Sequence, residues 1–276
     1  MNEKTIARPD GARIRMHDHA DRLGPGRADA PAIVLSNSLA TDASLWAGVV
    51  ERLSGRYRLV TYDTRGHGAS HSPSASTTLD VLAGDLLAVM DAAGLANAFV
   101  AGISLGGMTG LTSALKAPER LRGLVACNCR ASIDAAGIAG WEQRLQVLRD
   151  GGIEALAVVT LERWFTAEYR AANPQVMERV RTMIRATSPL GYEACVRAIE
   201  AVDLLGRLPA IRVPVLLVAG AQDGAAPPAT MQGMAAAIPG AQLEVLDPCG
   251  HLSSVQRCDE LAGLIDRFVS TRSQPA

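Results

Sequence analysis

Short apolar runs recur along the chain and alternate with longer amphipathic stretches. The runs are rich in branched side chains and bounded by turn residues, a pattern typical of buried parallel strands. They cover residues 32–35, 59–62, 98–103, 124–127, 213–219 and 243–246. Parallel strands need crossover connections, so the alternation predicts a mostly parallel, doubly wound α/β sheet. A break at Asp10-Gly11 predicts an antiparallel hairpin at the edge of this sheet.

The clearest helix is predicted over residues 79–93. Its apolar face is formed by Leu79, Leu82, Leu86, Val89 and Met90. Residues 77–80, with the sequence Thr-Thr-Leu-Asp, are expected to form a capping box at its start.

The alternation stops between residues 133 and 205, where the patterns are all helical. These helical patterns cover residues 141–148, 153–165, 175–186 and 192–202. A strand pattern resumes at Ile211-Arg212-Val213-Pro214. We therefore predict an α/β core made of residues 1–132 and 206–276, interrupted by a helical cap of residues 133–205.

Composition narrows the classes of function. The chain has 27 basic and 28 acidic side chains, and no cluster of like charges, which argues against a nucleic-acid partner. Its longest apolar stretch, residues 213–221, contains Pro214 and is far shorter than the roughly 20 residues that span a bilayer. Residues 1–18 carry charges throughout and lack the apolar core of an export signal. We expect a cytoplasmic protein with no membrane partner.

The five cysteines are odd in number and lie mostly in apolar segments, which suits free thiols in a reducing compartment. Cys127 and Cys129 have a spacing that could bind zinc, but no paired histidine motif accompanies them. We expect no metal, with zinc as a minor alternative.

The segment Gly102-Ile103-Ser104-Leu105-Gly106 lies between a predicted strand and a predicted helix. This context is typical of a nucleophile elbow, a sharp turn that exposes a serine at the carboxyl end of a strand. The flanking glycines have a reason, because such a turn leaves no room for β-carbons at positions 102 and 106. Ser104 is therefore the candidate nucleophile.

A serine hydroxyl needs a base and a group that orients the base, in the chain order Ser, acid, His. His251 is the only histidine after Ser104, and it follows the last predicted strand. For the acid we predict Asp223, at the carboxyl end of the strand predicted over residues 213–219. Asp247 is the rival, but it is too close in sequence to His251 to reach its ring comfortably.

The oxyanion hole is expected to use two backbone N–H groups, from Leu105 and from Leu39 in the loop after the first central strand. Residues 62–70 combine Asp, His and Ser but precede Ser104, which is the wrong order for a triad. We interpret them as a turn whose polar side chains satisfy loop backbone.

Together these segments resemble the α/β-hydrolase superfamily, and finer features resemble its 3-oxoadipate enol-lactonases. The finer features are residues 35–39, 62–70, 106–110, 163–166, 191–195 and 251–253. The chain departs from the lactonase pattern at residues 128–132, where an arginine is displaced, at Ala40, where glycine is usual, and at residues 254–258.

The resemblance implies a helical cap over the pocket, carrying Trp141, Arg144, Trp164 and Phe165. Aromatic walls and one cation suit a small carboxylated substrate. Arg144 is expected to bind the carboxylate, with Arg130 as its rival. For the Trp and Phe residues, packing of the cap against the core is an equally good interpretation.

We therefore expect a serine hydrolase that opens a small lactone, 3-oxoadipate enol-lactone or a related carboxylated enol-lactone, and needs no cofactor. The alternatives are a carboxylesterase or lactonase with another acyl group and, more remotely, a slow-turnover ligand receptor. The oligomeric state stays open.

Overall fold

Among residues 2–27, 29–74 and 76–273, which the computed structural model describes, eight strands form one sheet. The strands are β1 (Asn2–Ala7), β2 (Arg13–Asp18), β3 (Ala32–Ser36), β4 (Arg58–Tyr62), β5 (Ala98–Ile103), β6 (Leu121–Cys127), β7 (Val215–Gly220) and β8 (Gln242–Leu246). Their spatial order is β1-β2-β4-β3-β5-β6-β7-β8. The strands from β4 to β8 in this order pair in parallel, whereas β2 pairs antiparallel with both β1 and β4. The predicted sheet and its edge hairpin are confirmed.

The described helices are α1 (Ala47–Leu53), α2 (Leu79–Ala92), α3 (Leu105–Lys116), α4 (Ala135–Trp164), α5 (Ala167–Ala172), α6 (Pro174–Arg185), α7 (Pro189–Glu200), α8 (Pro228–Ala237), α9 (Ser253–Gln256) and α10 (Cys258–Ser273). None of them is long and apolar enough to cross a membrane. Helix α2 has the predicted bounds to within one residue. Its N-cap, however, is Thr78, which accepts from the N–H of Val81 at 3.2 Å, so the predicted capping box over residues 77–80 is wrong by one position.

Helices cover both faces of the central strands. On one face Phe99 of β5 meets Phe268 of α10 edge to face, with 6.2 Å between ring centroids. On the other, Val100 lies beside Gly110 of α3. Successive side chains of a strand point to opposite faces, so α3 and α10 lie on opposite sides of the sheet. The doubly wound α/β fold predicted from the alternation is confirmed.

Two strand predictions differ in detail from the structure. Strand β7 begins at Val215 rather than at residue 213, because Pro214 has no N–H to pair and contributes only its carbonyl, which accepts from Leu124 at 2.9 Å. Strand β8 is parallel but mostly exposed, with 47% of Val245 accessible, because no described strand pairs beyond it. The expectation that it is buried is wrong.

Helices α4 to α7 follow β6 and precede β7, and no strand lies among the described residues between them. Helix α4 contains the two helices predicted over residues 141–148 and 153–165. They are separated by a break at Gly152, whose φ of 69° lies in the left-handed region. A bridge between Ser132 and Asp203, with a hydrogen bond of 2.7 Å from Leu204 N–H to Ala131 C=O, closes the segment at its base. We retain the division into residues 1–132, 133–205 and 206–276 as a proposal, and call α4 to α7 the cap.

Candidate active site

Ser104 lies at the sharp turn between β5 and α3. Its φ is 55°, a value that L-residues rarely adopt, and it is held there by the packing around it. A β-carbon at Gly102 would overlap the carbonyl of Gly106, and one at Gly106 would overlap the carbonyl of Ser36. The steric reason predicted for both glycines is confirmed.

The structure brings Ser104, His251 and Asp223 together. His251 Nε2 lies 2.9 Å from Ser104 Oγ, and His251 Nδ1 lies 2.9 Å from Asp223 Oδ2. Both distances are those of hydrogen bonds between a nucleophile, a base and the group that orients the base. Asp247 lies elsewhere, where it accepts from the side chain of Gln222 at 2.7 Å.

Asp223 is buried, yet several donors stabilise its charge. Its Oδ1 accepts from the N–H groups of Ala225 and Ala226 at 2.7 and 3.1 Å, and its Oδ2 accepts from Asn128 Nδ2 at 3.0 Å. Burial acts to raise the pKa of Asp223, but His251 and these hydrogen bonds outweigh it and lower the pKa to about 2. The carboxylate is therefore ionised at neutral pH.

Asn128 is a site residue that the sequence analysis missed. It directly follows β6 and has a left-handed φ of 49°, and its Nδ2 also donates to the carbonyl of Gly250 at 3.2 Å. Its Oδ1 accepts from Ser253 Oγ at 2.6 Å. Its position after a strand next to β5 was a signal for a site residue. The flanking cysteines, Cys127 and Cys129, indicated a possible metal site instead. No group of three potential metal ligands lies among the described residues.

The two residues predicted to form the oxyanion hole lie near Ser104. Leu39 lines the same cavity as Ser104, and Leu105 follows Ser104 at the start of α3. Neither N–H has a hydrogen-bond acceptor within the described part of the chain. Buried donors without an acceptor can bind a developing oxyanion. Ala40 adopts a φ of 57° beside Leu39, a conformation that glycine reaches more easily.

A cavity of about 240 Å³ opens onto Ser104 and His251. Its lining includes all the residues predicted to bind substrate: Arg130, Trp141, Arg144 and Trp164. The guanidinium carbon of Arg144 lies 3.8 Å from the centroid of the Trp141 ring, and the Trp164 ring stacks on the imidazole of His251. Phe165 is absent from the lining and instead stacks on Tyr169, so its expected place at the pocket is wrong.

The comparisons with known proteins agree with this geometry. The family model of the alpha/beta hydrolase fold matches residues 31–257. The chain belongs to the α/β-hydrolase family. The 3-oxoadipate enol-lactonase 2 of Acinetobacter baylyi is 35% identical over 232 residues, which cover 84% of this chain and 86% of that protein. A putative carbamate hydrolase, RutD of Stutzerimonas stutzeri, is 31% identical over 86% of this chain and 91% of its own length.

Among solved structures, the enol-lactonase from Burkholderia xenovorans LB400 superimposes with a TM-score of 0.90. The two chains are 37% identical, and the match covers 97% of this chain and 100% of the other. This α/β-hydrolase is therefore a carboxylic-ester hydrolase that resembles the enol-lactonases, as its sequence motifs predicted.

The cavity of this hydrolase holds more positive charge than the sequence analysis predicted, because Arg163 also lines it. Burial and the neighbouring Arg163 lower the pKa of Arg144 to about 10, and burial also lowers the pKa of Arg163. Neither arginine forms a salt bridge with any carboxylate in the described ranges. Arg130 donates to the carbonyl of Ala225 at 2.6 Å. Arg163 belongs to the family feature of residues 163–166. Its position beside Trp164 was a signal that it could line the cavity.

Residues 62–70 have the structural role predicted for them. Asp63 accepts from the N–H groups of Ala43 and Ala69, each at 2.8 Å, and Arg65 forms a buried salt bridge with Asp85. These bonds satisfy loop backbone and buried charge, and the groups do not line the cavity.

Proposed function

We propose that this hydrolase opens a small lactone bearing a carboxylate, 3-oxoadipate enol-lactone or a close relative, through a Ser104-His251-Asp223 triad. The observation that carries the proposal is a pair of cavity arginines, Arg144 and Arg163, without carboxylate partners in the described chain, beside the serine and histidine. Arg144 is half-buried and has lost part of its hydration, so an anion bound in the cavity would stabilise its charge.

In the proposed first step, Ser104 Oγ attacks the lactone carbonyl while His251 Nε2 takes its proton. The carbonyl oxygen becomes an oxyanion, which the N–H groups of Leu39 and Leu105 stabilise. Asp223 holds Nδ1–H, so that Nε2 is the free base, and stabilises the imidazolium that forms.

Collapse of the tetrahedral intermediate breaks the ring C–O bond and leaves the acyl group on Ser104. His251 gives its proton to the departing oxygen, an enol, which is a better leaving group than an alkoxide. The enol stays attached to the acyl chain and tautomerises to a ketone. Water, activated by His251, then hydrolyses the acyl-enzyme and regenerates Ser104. The product is a keto acid.

The substrate carboxylate is expected to bind Arg144. This guanidinium is half-buried, stacks on Trp141, and has a buried Nε without a hydrogen-bond partner among the described residues. A planar fork held by an aromatic ring suits two carboxylate oxygens. Arg163 lies on the same cavity wall and adds positive charge.

The test compares Arg144→Ala with Arg149→Ala on two substrates, an acidic enol-lactone and a neutral ester. Arg149 is the matched control, because it lies on the same helix but pairs with Glu193 at 2.9 Å on the surface. Loss of a charge-assisted contact of roughly 1.5 to 3 kcal/mol should raise KM for the acidic lactone about tenfold or more in Arg144→Ala. KM for the neutral ester should change little, and Arg149→Ala should resemble the wild type.

Equal losses on both substrates would indicate a packing role for Arg144. No loss on either would move the carboxylate to Arg130 or Arg163, and hydrolysis of neutral esters alone would favour the carboxylesterase alternative.

We further propose a cytoplasmic location, in keeping with five free cysteines.

A further inference from the structure

The cap touches the catalytic histidine through its backbone. The N–H of His251 donates to the carbonyl of Trp164, the last residue of α4, at 2.7 Å. The two rings stack with 6.4 Å between centroids. A β-carbon on Gly250 would collide with the same Trp164 carbonyl, so only glycine allows this approach. The position of His251 therefore depends on the junction between α4 and α5.

One buried side chain joins this junction to the histidine loop a second time. Gln256 Oε1 accepts from the N–H of Gly250 at 3.0 Å, and its Nε2 donates to Thr166 Oγ1 at 3.1 Å. Thr166 Oγ1 also caps α5 by accepting from the N–H of Tyr169. Gln256 thus uses one amide to connect the residue before His251 with the start of α5.

The other half of the loop is fastened to the core instead. Gln222, which follows β7, accepts from the N–H of Cys249 at 2.6 Å and donates to Asp247. His251 therefore follows two consecutive residues whose N–H groups are held by different partners, Cys249 by Gln222 and Gly250 by Gln256. The carbonyl of Gly250 also accepts from Asn128 at 3.2 Å. The imidazole of His251 must keep 2.9 Å bonds to Ser104 and Asp223, which a displacement of about 1 Å would break.

We propose that Gln256 is a positioning residue that couples the cap to the catalytic histidine through Thr166. The inference rests on the proposed function only in using the triad, not in the substrate. Gln256 touches no reacting atom; it fixes the peptide from which His251 projects. When this link is cut, the triad should align less often while the cavity that binds substrate keeps its walls.

The experiment measures kcat and KM for a small neutral ester, p-nitrophenyl acetate, and the rate at which a phosphonate probe labels Ser104, with Ser104→Ala as the blank. Gln256→Met removes both hydrogen bonds at similar size, Thr166→Val removes the cap side, and Gln222→Met is the matched control on the core side. Thermal unfolding of each variant verifies that it folds.

We expect Gln256→Met to lower kcat and the labelling rate about tenfold or more, with KM within about twofold of the wild type. Thr166→Val should lower both rates, and the double variant should lose no more than Gln256→Met alone, because the two side chains act as one link. Gln222→Met should keep kcat within about threefold, because the backbone N–H of Gln222 still donates to the carbonyl of Cys249 at 2.8 Å. Gln256→Glu should recover most of the rate, since a carboxylate still accepts from Gly250 N–H and from the Thr166 hydroxyl.

A wild-type kcat in a folded Gln256→Met protein would overturn the proposal. So would an equal loss in Gln222→Met, which would mean that any fastening of the loop suffices, or additive losses in the double variant. A wild-type protein that the phosphonate does not label at Ser104 would overturn the proposed function itself, and this inference with it.

Discussion

At the scale of single residues, opposing effects meet at Asp223. Its burial favours the neutral acid, whereas His251, Asn128 and two backbone N–H groups favour the carboxylate. The second set of effects is larger, so the pKa of Asp223 is lowered. An ionised carboxylate accepts the Nδ1–H bond and fixes the imidazole in the tautomer that leaves Nε2 free toward Ser104. Asp247 instead accepts from the side chain of Gln222.

Substitution of each aspartate by asparagine separates the two candidates. Asp223→Asn should lose roughly 10^4 in kcat, because the amide oxygen would accept from the N–H groups of Ala225 and Ala226 and its NH2 would face Nδ1, which favours the wrong tautomer. Asp247→Asn should stay near the wild type, since the Asp247 side chain accepts from Gln222 and, among the described residues, does not contact His251. Steady-state measurement of kcat for both variants on one activated ester distinguishes the two candidates. A larger loss of kcat in Asp247→Asn than in Asp223→Asn would make Asp247 the acid.

The proximity of Ser104, Asp223 and His251 could be predicted because the chemistry of a triad demands fixed residue types at the carboxyl ends of strands, and only one histidine follows Ser104. Asn128 and Arg163 could not be ranked in the same way, because asparagine at a strand end and arginine on a helix have many ordinary roles. Their importance depends on contacts across the fold, such as the 3.0 Å bond from Asn128 to Asp223.

At the scale of elements, the cap and the core meet at two glycines. A β-carbon on Gly191, in the first turn of α7, would lie 2.6 Å from the Cα of Gly66. Ser188, the N-cap of α7, also donates its backbone N–H to the Gly66 carbonyl at 2.9 Å. The next residue of α7, Tyr192, lines the cavity, so this contact sets one of its walls. The helical pattern predicted α7 but not the surface it packs against, because the two glycines are far apart in sequence.

Alanine at two helical glycines should therefore act in opposite directions. Gly191→Ala should destabilise the protein by about 1 to 3 kcal/mol, because a methyl group must push two backbones apart. Gly233→Ala, in α8, meets nothing within 4 Å and should stabilise by about 0.5 to 1 kcal/mol through helix propensity. Urea unfolding gives both values. A Gly191→Ala protein as stable as the wild type would show that the cap moves away from Gly66 without cost.

At the scale of the whole molecule, a nearly neutral chain contains a cationic cavity. The net charge is -1, yet the cavity is lined by three arginines, Arg130, Arg144 and Arg163, against one aspartate, Asp134, with Asp223 behind His251. Asp134 caps α4, and Asp223 pairs with His251, so neither neutralises the guanidinium groups directly. Net charge averages over the surface and cannot reveal a local concentration of charge.

This separation of local from net charge predicts how salt affects the reaction. The arginines attract an anionic lactone, and dissolved salt screens this attraction. The Debye length, which sets the range of the attraction, falls from about 30 Å at 0.01 M salt to about 10 Å at 0.1 M. We expect kcat/KM for an acidic lactone to fall several-fold when sodium chloride rises over this range. The same titration should leave kcat/KM for a neutral ester nearly constant, because that substrate has no charge to screen.

Arg144→Ala should flatten the salt dependence of kcat/KM for the acidic lactone. Arg149→Ala should keep the wild-type dependence, because the charge of Arg149 is paired on the surface. Equal slopes for the acidic and neutral substrates would mean that salt acts on the protein rather than on recognition of the carboxylate.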